Sequence, residues 1–248
     1  FYMEWIKKAK EKQVLYIHFT MDDNPSLSQS VKDRYKSLYS GAFYERFIEG
    51  KWVTAQGLVY PMFSPERHIK KCKGKFNRFY LSCDYGTVNP FSLGLWGECD
   101  GKWFRLDEYY YSGRDNGIQL TDEEYYRELE KLAENREITA LIIDPSAASF
   151  IQTVLRHGEF RVVKANNDVL TGINRVCQAL KDEEIFIYPA CTDAIREFSI
   201  YRWDDNIKKD AVKKENDHAM DDIRYFVATV LGRENQNSAF ASVAIERN

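Results

Sequence analysis

A histidine and three aspartates stand close together between residues 216 and 226. The apolar spacing of this stretch predicts the start of a helix, with Asn216 or Asp217 as its cap. His218 and Asp221 are three residues apart, so they share one face of the first turn. Aspartates also favour a helix N-terminus because of the helix dipole, which is the simpler explanation of the acids. The same dipole disfavours a charged imidazole, and a neutral histidine beside carboxylates predicts a site for a hard divalent cation.

Two further aspartates, Asp84 and Asp144, each follow an apolar segment that reads as a buried strand. Ligands of an open α/β sheet gather at the carboxyl ends of its strands, so neighbouring strands would direct both carboxylates into one crevice. Alternatively, each aspartate is a turn residue that ends its strand. Three acids meeting at one place would repel one another unless cations lie between them, and two divalent ions would also activate water for phosphodiester hydrolysis. We therefore predict a catalytic and metal-binding set that binds Mg²⁺ or Mn²⁺, two ions in all, and consists of Asp84, Asp144, Asp221 and His218.

Patterns of strands and helices predict the elements that must position these residues. Three meandering strands come first, at 79–83, 91–97 and 103–111, with a hairpin turn at Asp100-Gly101. Further strands are predicted at 139–143, 161–164 and 185–188, alternating with helices at 121–135, 149–156, 169–181 and 192–201. This order indicates an α/β fold with a mixed sheet and helices on its faces. Short strands are also expected before it, at 14–19, 50–53 and 57–61.

The overall charge does not favour nucleic-acid binding, because 35 basic residues stand against 38 acidic ones. Any contact with DNA must come from local patches. The segment 201–215 is expected to be an exposed hairpin or loop, and we predict DNA contacts for its lysines, which are Lys208, Lys209, Lys213 and Lys214. The basic segment from His68 to Arg78 is either a second DNA contact or a solvated linker. Solvated surface is expected for four more aspartates, namely Asp107, Asp205, Asp210 and Asp222.

Five cysteines, at positions 72, 83, 99, 177 and 191, include no C-x-x-C pair. Their odd number and scattered spacing argue against a disulfide framework and a structural zinc, and favour a reducing cytosol. No apolar run approaches the roughly 20 residues of a membrane span, and no signal peptide is present. We therefore expect a protein that is neither membrane-bound nor secreted.

Four motifs, in order, resemble segments of the large terminase subunits of tailed phages. Phe19 to Pro25, Gly50-Lys51-Trp52 and Gly57-Leu58-Val59-Tyr60 are similar to the segment that joins the ATPase to the nuclease in that family. Asp84-Tyr85-Gly86 with Asn89-Pro90 looks like the first acidic motif of the nuclease, and Ile142-Ile143-Asp144-Pro145 looks like the second. Asp217-His218-Ala219-Met220-Asp221 with Arg224-Tyr225 resembles the last motif. The resemblance covers nearly the whole chain.

The resemblance implies an RNase H-like (RuvC-type) fold and metal-dependent cutting of concatemeric viral DNA during genome packaging. Asp84, Asp144 and Asp221 would be metal ligands, and His218 a ligand or a proton-transfer group. The implied partners are double-stranded DNA, the portal protein, the small terminase subunit and an ATPase domain of the same protein. The implied location is the host-cell cytoplasm, at the procapsid portal.

The domain expectation follows from the same resemblance. No G-x-x-x-x-G-K-[ST] motif occurs, so the ATPase motifs of the family are missing from this chain. We expect residues 1–69 to form a linker subdomain that follows an absent ATPase domain, and residues 70–248 to form the nuclease domain. Two alternatives to the packaging nuclease are a branched-DNA resolvase of the same fold and a non-catalytic module that docks on the portal.

Overall fold

A six-stranded mixed sheet carries the predicted site residues at one of its ends. The computed structural model describes residues 2–39, 41–53, 55–204, 206 and 210–232. The strands are β1 (Arg78–Asp84), β2 (Phe91–Cys99), β3 (Lys102–Tyr111), β4 (Ile138–Ile143), β5 (Val162–Lys164) and β6 (Ile185–Ile187). Their order in the sheet is β5-β4-β1-β2-β3-β6. The pairs β1–β2 and β2–β3 are antiparallel, and the other three pairs are parallel.

All six strands of this sheet were predicted from the sequence, and their observed bounds differ from the predicted ones by two residues at most. The turn between β2 and β3 is the predicted Asp100-Gly101 pair. Both residues have positive φ, 54° and 73°, as a two-residue hairpin of type I′ requires. Strand β2 is buried along almost its whole length because helices cover both faces of the sheet.

Helices follow the strands in the predicted alternation. They are α3 (Pro65–His68), α4 (Gly113–Asn116), α5 (Asp122–Ala133), α6 (Ala148–His157), α7 (Val169–Lys181), α8 (Thr192–Ile200) and α9 (His218–Phe226), and a π-helical turn, Val227–Leu231, extends α9. The predicted capping box of α5 is present, with Thr121 and Glu124 bonding reciprocally. Two shorter helices, α1 (Gln29–Ser37) and α2 (Gly41–Phe47), precede these in the chain.

The two faces of β1 belong to two different packing layers, because successive side chains of a strand alternate in direction. Leu81 and Cys83 face α5 and α6 in an apolar core where both are fully buried. Tyr80 and Ser82 face α9 instead, where Tyr80 packs edge-on against Phe226. Helix α9 is therefore fixed on the sheet beside the end of β1.

Three expectations about the chain are wrong. Residues 14–19 form no strand, and Leu15, Ile17 and Phe19 are exposed. The predicted strands at 50–53 and 57–61 are reduced to one isolated bridge between Leu58 and Arg202. Cys72 and Cys99 are joined in a disulfide, which their spacing of 27 residues does not reveal. The three remaining cysteines are buried thiols. Within the described residues, every helix is too short or too polar to span a bilayer.

The chain divides into two compact units, Phe1–Gly57 with Trp203–Ala211 and Leu58–Arg202 with Val212–Asn248. In the first unit, Arg46 forms an ion pair with Asp210, and Trp203 is buried beside Phe43. Asp210 is therefore not the solvated residue that we expected. The second unit contains the sheet and α3 to α9. The predicted boundary after residue 69 concerns parts that fold independently, and it stays a prediction.

Candidate functional site

The sheet brings two of the predicted acids to the carboxyl ends of adjacent parallel strands. Asp84 is the last residue of β1, and Asp144 directly follows β4. The register pairs Cys83 with Ile143, so the two aspartates leave the sheet side by side. Asp221 comes from α9, which packs against both strands.

The hydroxyl of Tyr225 lies where the three carboxylates approach one another. It donates a hydrogen bond to Asp144 Oδ2 at 2.9 Å. Burial raises the pKa of Tyr225, and the negative charges of Asp84, Asp221 and Asp144 raise it further. Tyr225 belongs to the last quoted motif but was not predicted as a site residue. No spacing rule shows that a residue on α9 reaches the end of β4.

Asp84 and His218 form a hydrogen-bonded pair, with 2.8 Å between Oδ2 and Nδ1. Burial raises the pKa of Asp84 to about 6; His218 opposes this rise, and the charge of Asp221 adds to it. The pKa of His218 is also raised, because the bond to Asp84 outweighs the opposing effect of burial. The sequence favoured a neutral imidazole at this helix N-terminus. The structure corrects that expectation, since a carboxylate partner favours the protonated form.

The N-terminus of α9 is capped from another helix, which the sequence did not reveal. Glu197 of α8 accepts hydrogen bonds from the backbone N–H groups of Ala219 at 2.8 Å and Met220 at 3.3 Å. Asp217 occupies the N-cap position, but its side chain makes no capping bond. That side chain is 5% exposed and lies near Asp221, and burial followed by the charge of Asp221 raises the pKa of Asp217. Asp217 is therefore an additional acid of the site rather than a simple cap.

The predicted DNA-binding lysines differ in their surroundings. Lys214 Nζ lies between two site acids, 3.3 Å from Asp217 Oδ2 and 3.4 Å from Asp221 Oδ2. Lys213 Nζ is 4.0 Å from Glu215. Lys208 and Lys209 lie outside the described residues. Lys214 thus acts as a counter-ion for the acids in this structure.

A buried ion pair beneath the site fixes the position of α9. Both terminal nitrogens of Arg105 donate to Asp222, at 2.8 and 2.7 Å, and neither residue is exposed. Ser82 and Ser92 also donate to Asp222. Asp222 was expected to be solvated surface, and that expectation is wrong because this side of α9 packs on the sheet. Asp107, by contrast, is exposed as predicted, and Asp205 lies outside the described residues.

A polar cavity of about 820 Å³ opens beside these residues. The acids and the imidazole in its lining are Asp84, Asp115, Asp193, Glu215, Asp217, Asp221 and His218. Asp144 lies outside this lining, where it accepts bonds from Tyr225 and the backbone of Ser146.

The chemistry of this donor set suits a hard divalent cation, because Asp84, Asp217 and Asp221 offer carboxylate oxygens beside an imidazole. In the part of the chain that the structure describes, no three His, Cys, Asp or Glu side chains are already arranged around one metal position. Arg224 lies 2.8 Å from Asp221 Oδ1 and Lys214 neutralises the other oxygen, while His218 occupies Asp84. A cation would have to displace Lys214 and the bond between His218 and Asp84.

Comparisons with known proteins place this arrangement in a family context. The chain is 45% identical to the large terminase of a thermophilic bacteriophage that was solved in complex with ADP, with a TM-score of 0.82 over 92% of this chain and 58% of that one. It is 20% identical over 229 residues to the large terminase subunit of Escherichia phage T5, covering 86% of this chain and 51% of that protein. The chain thus spans little more than half the length of either relative. No protein-family model matches it.

A third likeness concerns the fold. The large terminase nuclease of the thermophilic phage G20c, solved with bound magnesium, superposes on 69% of this chain with a TM-score of 0.52 at 9% identity, and 97% of that chain is covered. The mixed six-stranded sheet flanked by helices is therefore RNase H-like, as predicted.

Proposed function

This chain is a homologue of phage large terminase subunits, and we propose that it is a divalent-metal-dependent endonuclease that cuts concatemeric double-stranded viral DNA during genome packaging. The observation that carries the proposal is the meeting of Asp84, Asp144 and Asp221 beside His218 at one end of the sheet. The G20c nuclease, which shares the fold, was solved with magnesium bound, and that supports Mg²⁺ or Mn²⁺ as the cofactor here.

The proposed roles follow from the contacts of each side chain. Asp84 and Asp221 would hold the cation from β1 and α9, with Asp217 as a further oxygen donor. Asp144 would complete the set from β4, oriented by the Tyr225 hydroxyl. Two bound ions would supply an activated water and stabilise the charge that develops on the phosphate.

His218 is proposed as the group that moves a proton at the site. Its Nδ1 bonds Asp84, and its Nε2 lies 3.8 Å from Asp217. Once a cation occupies Asp84, the imidazole would be released to accept a proton from the attacking water.

The remaining parts of the proposal rest on the resemblance and the homology. The portal protein, the small terminase subunit and an ATPase domain of the same protein are the proposed partners. The proposed place of action is the host-cell cytoplasm, at the procapsid portal.

A plasmid-nicking assay with Mn²⁺ tests the proposed activity. We expect wild-type protein to nick and linearise the plasmid, and Asp84→Asn to lose at least about a hundredfold in rate, since a first metal ligand is neutralised. Asp107→Asn, which removes an exposed carboxylate of the same sheet, is the matched control and should cut at the wild-type rate. Cutting by Asp84→Asn as fast as wild type would overturn the assignment.

Two further measurements separate the alternatives. Preference for a four-way junction over a linear duplex would favour a resolvase. Calorimetry with Mn²⁺ should show binding that Asp84→Asn weakens, whereas a non-catalytic docking module should show no carboxylate-dependent binding.

A further inference from the structure

One cationic side chain in the cavity has no acidic partner. Lys214 and Arg196 of the lining are each ion-paired with acids of the site. Arg114 is exposed and, among the described residues, makes no ion pair, not even with its sequence neighbour Asp115. Its only side-chain bond there is from Nη2 to Asn89 Oδ1, at 3.3 Å. A guanidinium has five N–H donors in a fixed fork, so most of them are available to a ligand.

Arg114 is held in place through its backbone. It lies in α4, which begins directly after β3, and its N–H donates to Val88 O at 3.2 Å. The preceding residue, Gly113, packs so tightly that a Cβ there would lie 2.5 Å from Thr87 O. The loop after β1 and the loop after β3 are therefore joined, and Arg114 is oriented before any ligand arrives. Such pre-organisation lowers the entropic cost of binding.

The sheet sets the distance between Arg114 and the acids. The register pairs Asp84 with Ser92 and Ser92 with Tyr110, so two strand spacings, about 10 Å, separate the ends of β1 and β3. One DNA strand carries a phosphate about every 3.4 Å along the helix axis. A strand cut beside Asp84 would thus place a phosphate roughly three nucleotides away near Arg114.

We propose that Arg114 binds a backbone phosphate of the DNA strand that flanks the cleaved bond, and so positions that strand across the cavity. This inference rests on the proposed nuclease function. A guanidinium pairs with phosphate through two parallel hydrogen bonds, which an exposed arginine with a free fork can form. The acids hold the reacting end and Arg114 holds the strand at a distance.

Salt-dependent DNA binding tests the proposal. Binding of a 30-base-pair fluorescent duplex would be measured by anisotropy between 50 and 200 mM KCl, in an Asp84→Asn background. We expect Arg114→Ala to weaken binding roughly five- to tenfold and to reduce the slope of log K against log salt by about 0.9, the value for one lost phosphate contact. Arg114→Lys should keep the slope and recover only part of the affinity, because a point charge replaces the fork.

Arg161→Ala is the matched control. Arg161 is exposed and directly precedes β5, at the end of the parallel strands opposite to the acids. It should bind DNA as the background protein does. Thermal melting of each variant would show that the fold is intact, and the Mn²⁺ affinity of Arg114→Ala without the Asp84 change should equal that of wild type.

The outcomes distinguish this inference from the function on which it rests. If wild type cuts DNA and Arg114→Ala keeps the full affinity and salt slope, only the role of Arg114 is overturned. If wild type never cuts DNA with any divalent metal while Arg114→Ala still lowers the slope, the nuclease proposal is overturned and the phosphate contact stands.

Discussion

Lys214 holds its ammonium group between two carboxylates of the site, 3.3 Å from Asp217 and 3.4 Å from Asp221. Burial lowers its pKa, but the two aspartate charges outweigh this and raise it overall, so Lys214 stays charged at neutral pH. An ammonium at this position neutralises the acids that a divalent cation needs. Lys214 and the cation therefore compete for the same oxygens.

Replacing Lys214 with alanine should raise the affinity for Mn²⁺. We expect a roughly two- to fivefold gain, because a half-exposed ion pair contributes about 1 kcal/mol or less. Calorimetric titration measures the gain. Lys213→Ala is the control, since Lys213 contacts Glu215 and neither site acid. An affinity that stays the same or falls in Lys214→Ala would show that the lysine does not compete with the metal.

At the scale of the elements, the start of α9 depends on a carboxyl group from α8. Glu197 is fully buried, and burial raises its pKa from 4.5 to about 7, although Tyr110, Ala219 and Arg196 oppose the rise. Between these two values the folded protein keeps a proton that the unfolded chain has released. The free energy of unfolding therefore falls as pH rises from about 4.5 to 7, by up to about 3 kcal/mol from this group.

Replacing Glu197 with glutamine should flatten this pH dependence. A glutamine oxygen can still accept the N–H bonds of Ala219 and Met220, but the side chain cannot titrate. We expect the loss of melting temperature between pH 5 and pH 8 to be smaller in Glu197→Gln than in wild type. Glu137→Gln, at an exposed position, should keep the wild-type profile. Equal losses in Glu197→Gln and wild type would contradict the raised pKa.

The pair of Arg105 and Asp222 joins α9 to the middle of the sheet. Asp222→Ala would leave the buried guanidinium without its main partner, and we expect a loss of about 3 to 5 kcal/mol in urea unfolding. Asp107→Ala should change stability by less than about 0.5 kcal/mol. A double variant with leucine at both positions should regain most of the loss, because the unpaired charge is gone. A small loss in Asp222→Ala alone would mean that the pair does not hold the helix.

At the scale of the whole molecule, the site exists only in the folded chain, because its acids come from positions 84 to 221. A metal that binds these acids should therefore stabilise the folded state. At a concentration one hundred times its dissociation constant, Mn²⁺ should add about 2.7 kcal/mol, visible as a higher melting temperature. Asp84→Asn should lose most of this rise. An equal rise in that variant would place the metal elsewhere.

The sequence alone was sufficient for the elements and for the first acids. Strand periodicity located β1 and β4, and Asp84 and Asp144 followed because strand ends in an α/β sheet collect ligands. Helix spacing placed His218 and Asp221 on one turn. These signals are local, since the period of a strand or a helix and the residue that ends it are visible within a few positions.

Only the tertiary structure decided which partners these residues have. Whether Asp217 caps its own helix or joins the acids depends on Glu197, twenty residues earlier, and whether Asp222 is solvated depends on Arg105, more than a hundred residues earlier. Tyr225, Lys214 and Arg114 owe their positions to packing between distant strands and helices. Local sequence sets the direction in which a backbone carries its side chains, but pairing across the fold determines which charges those side chains meet, and that depends on contacts that no spacing rule records.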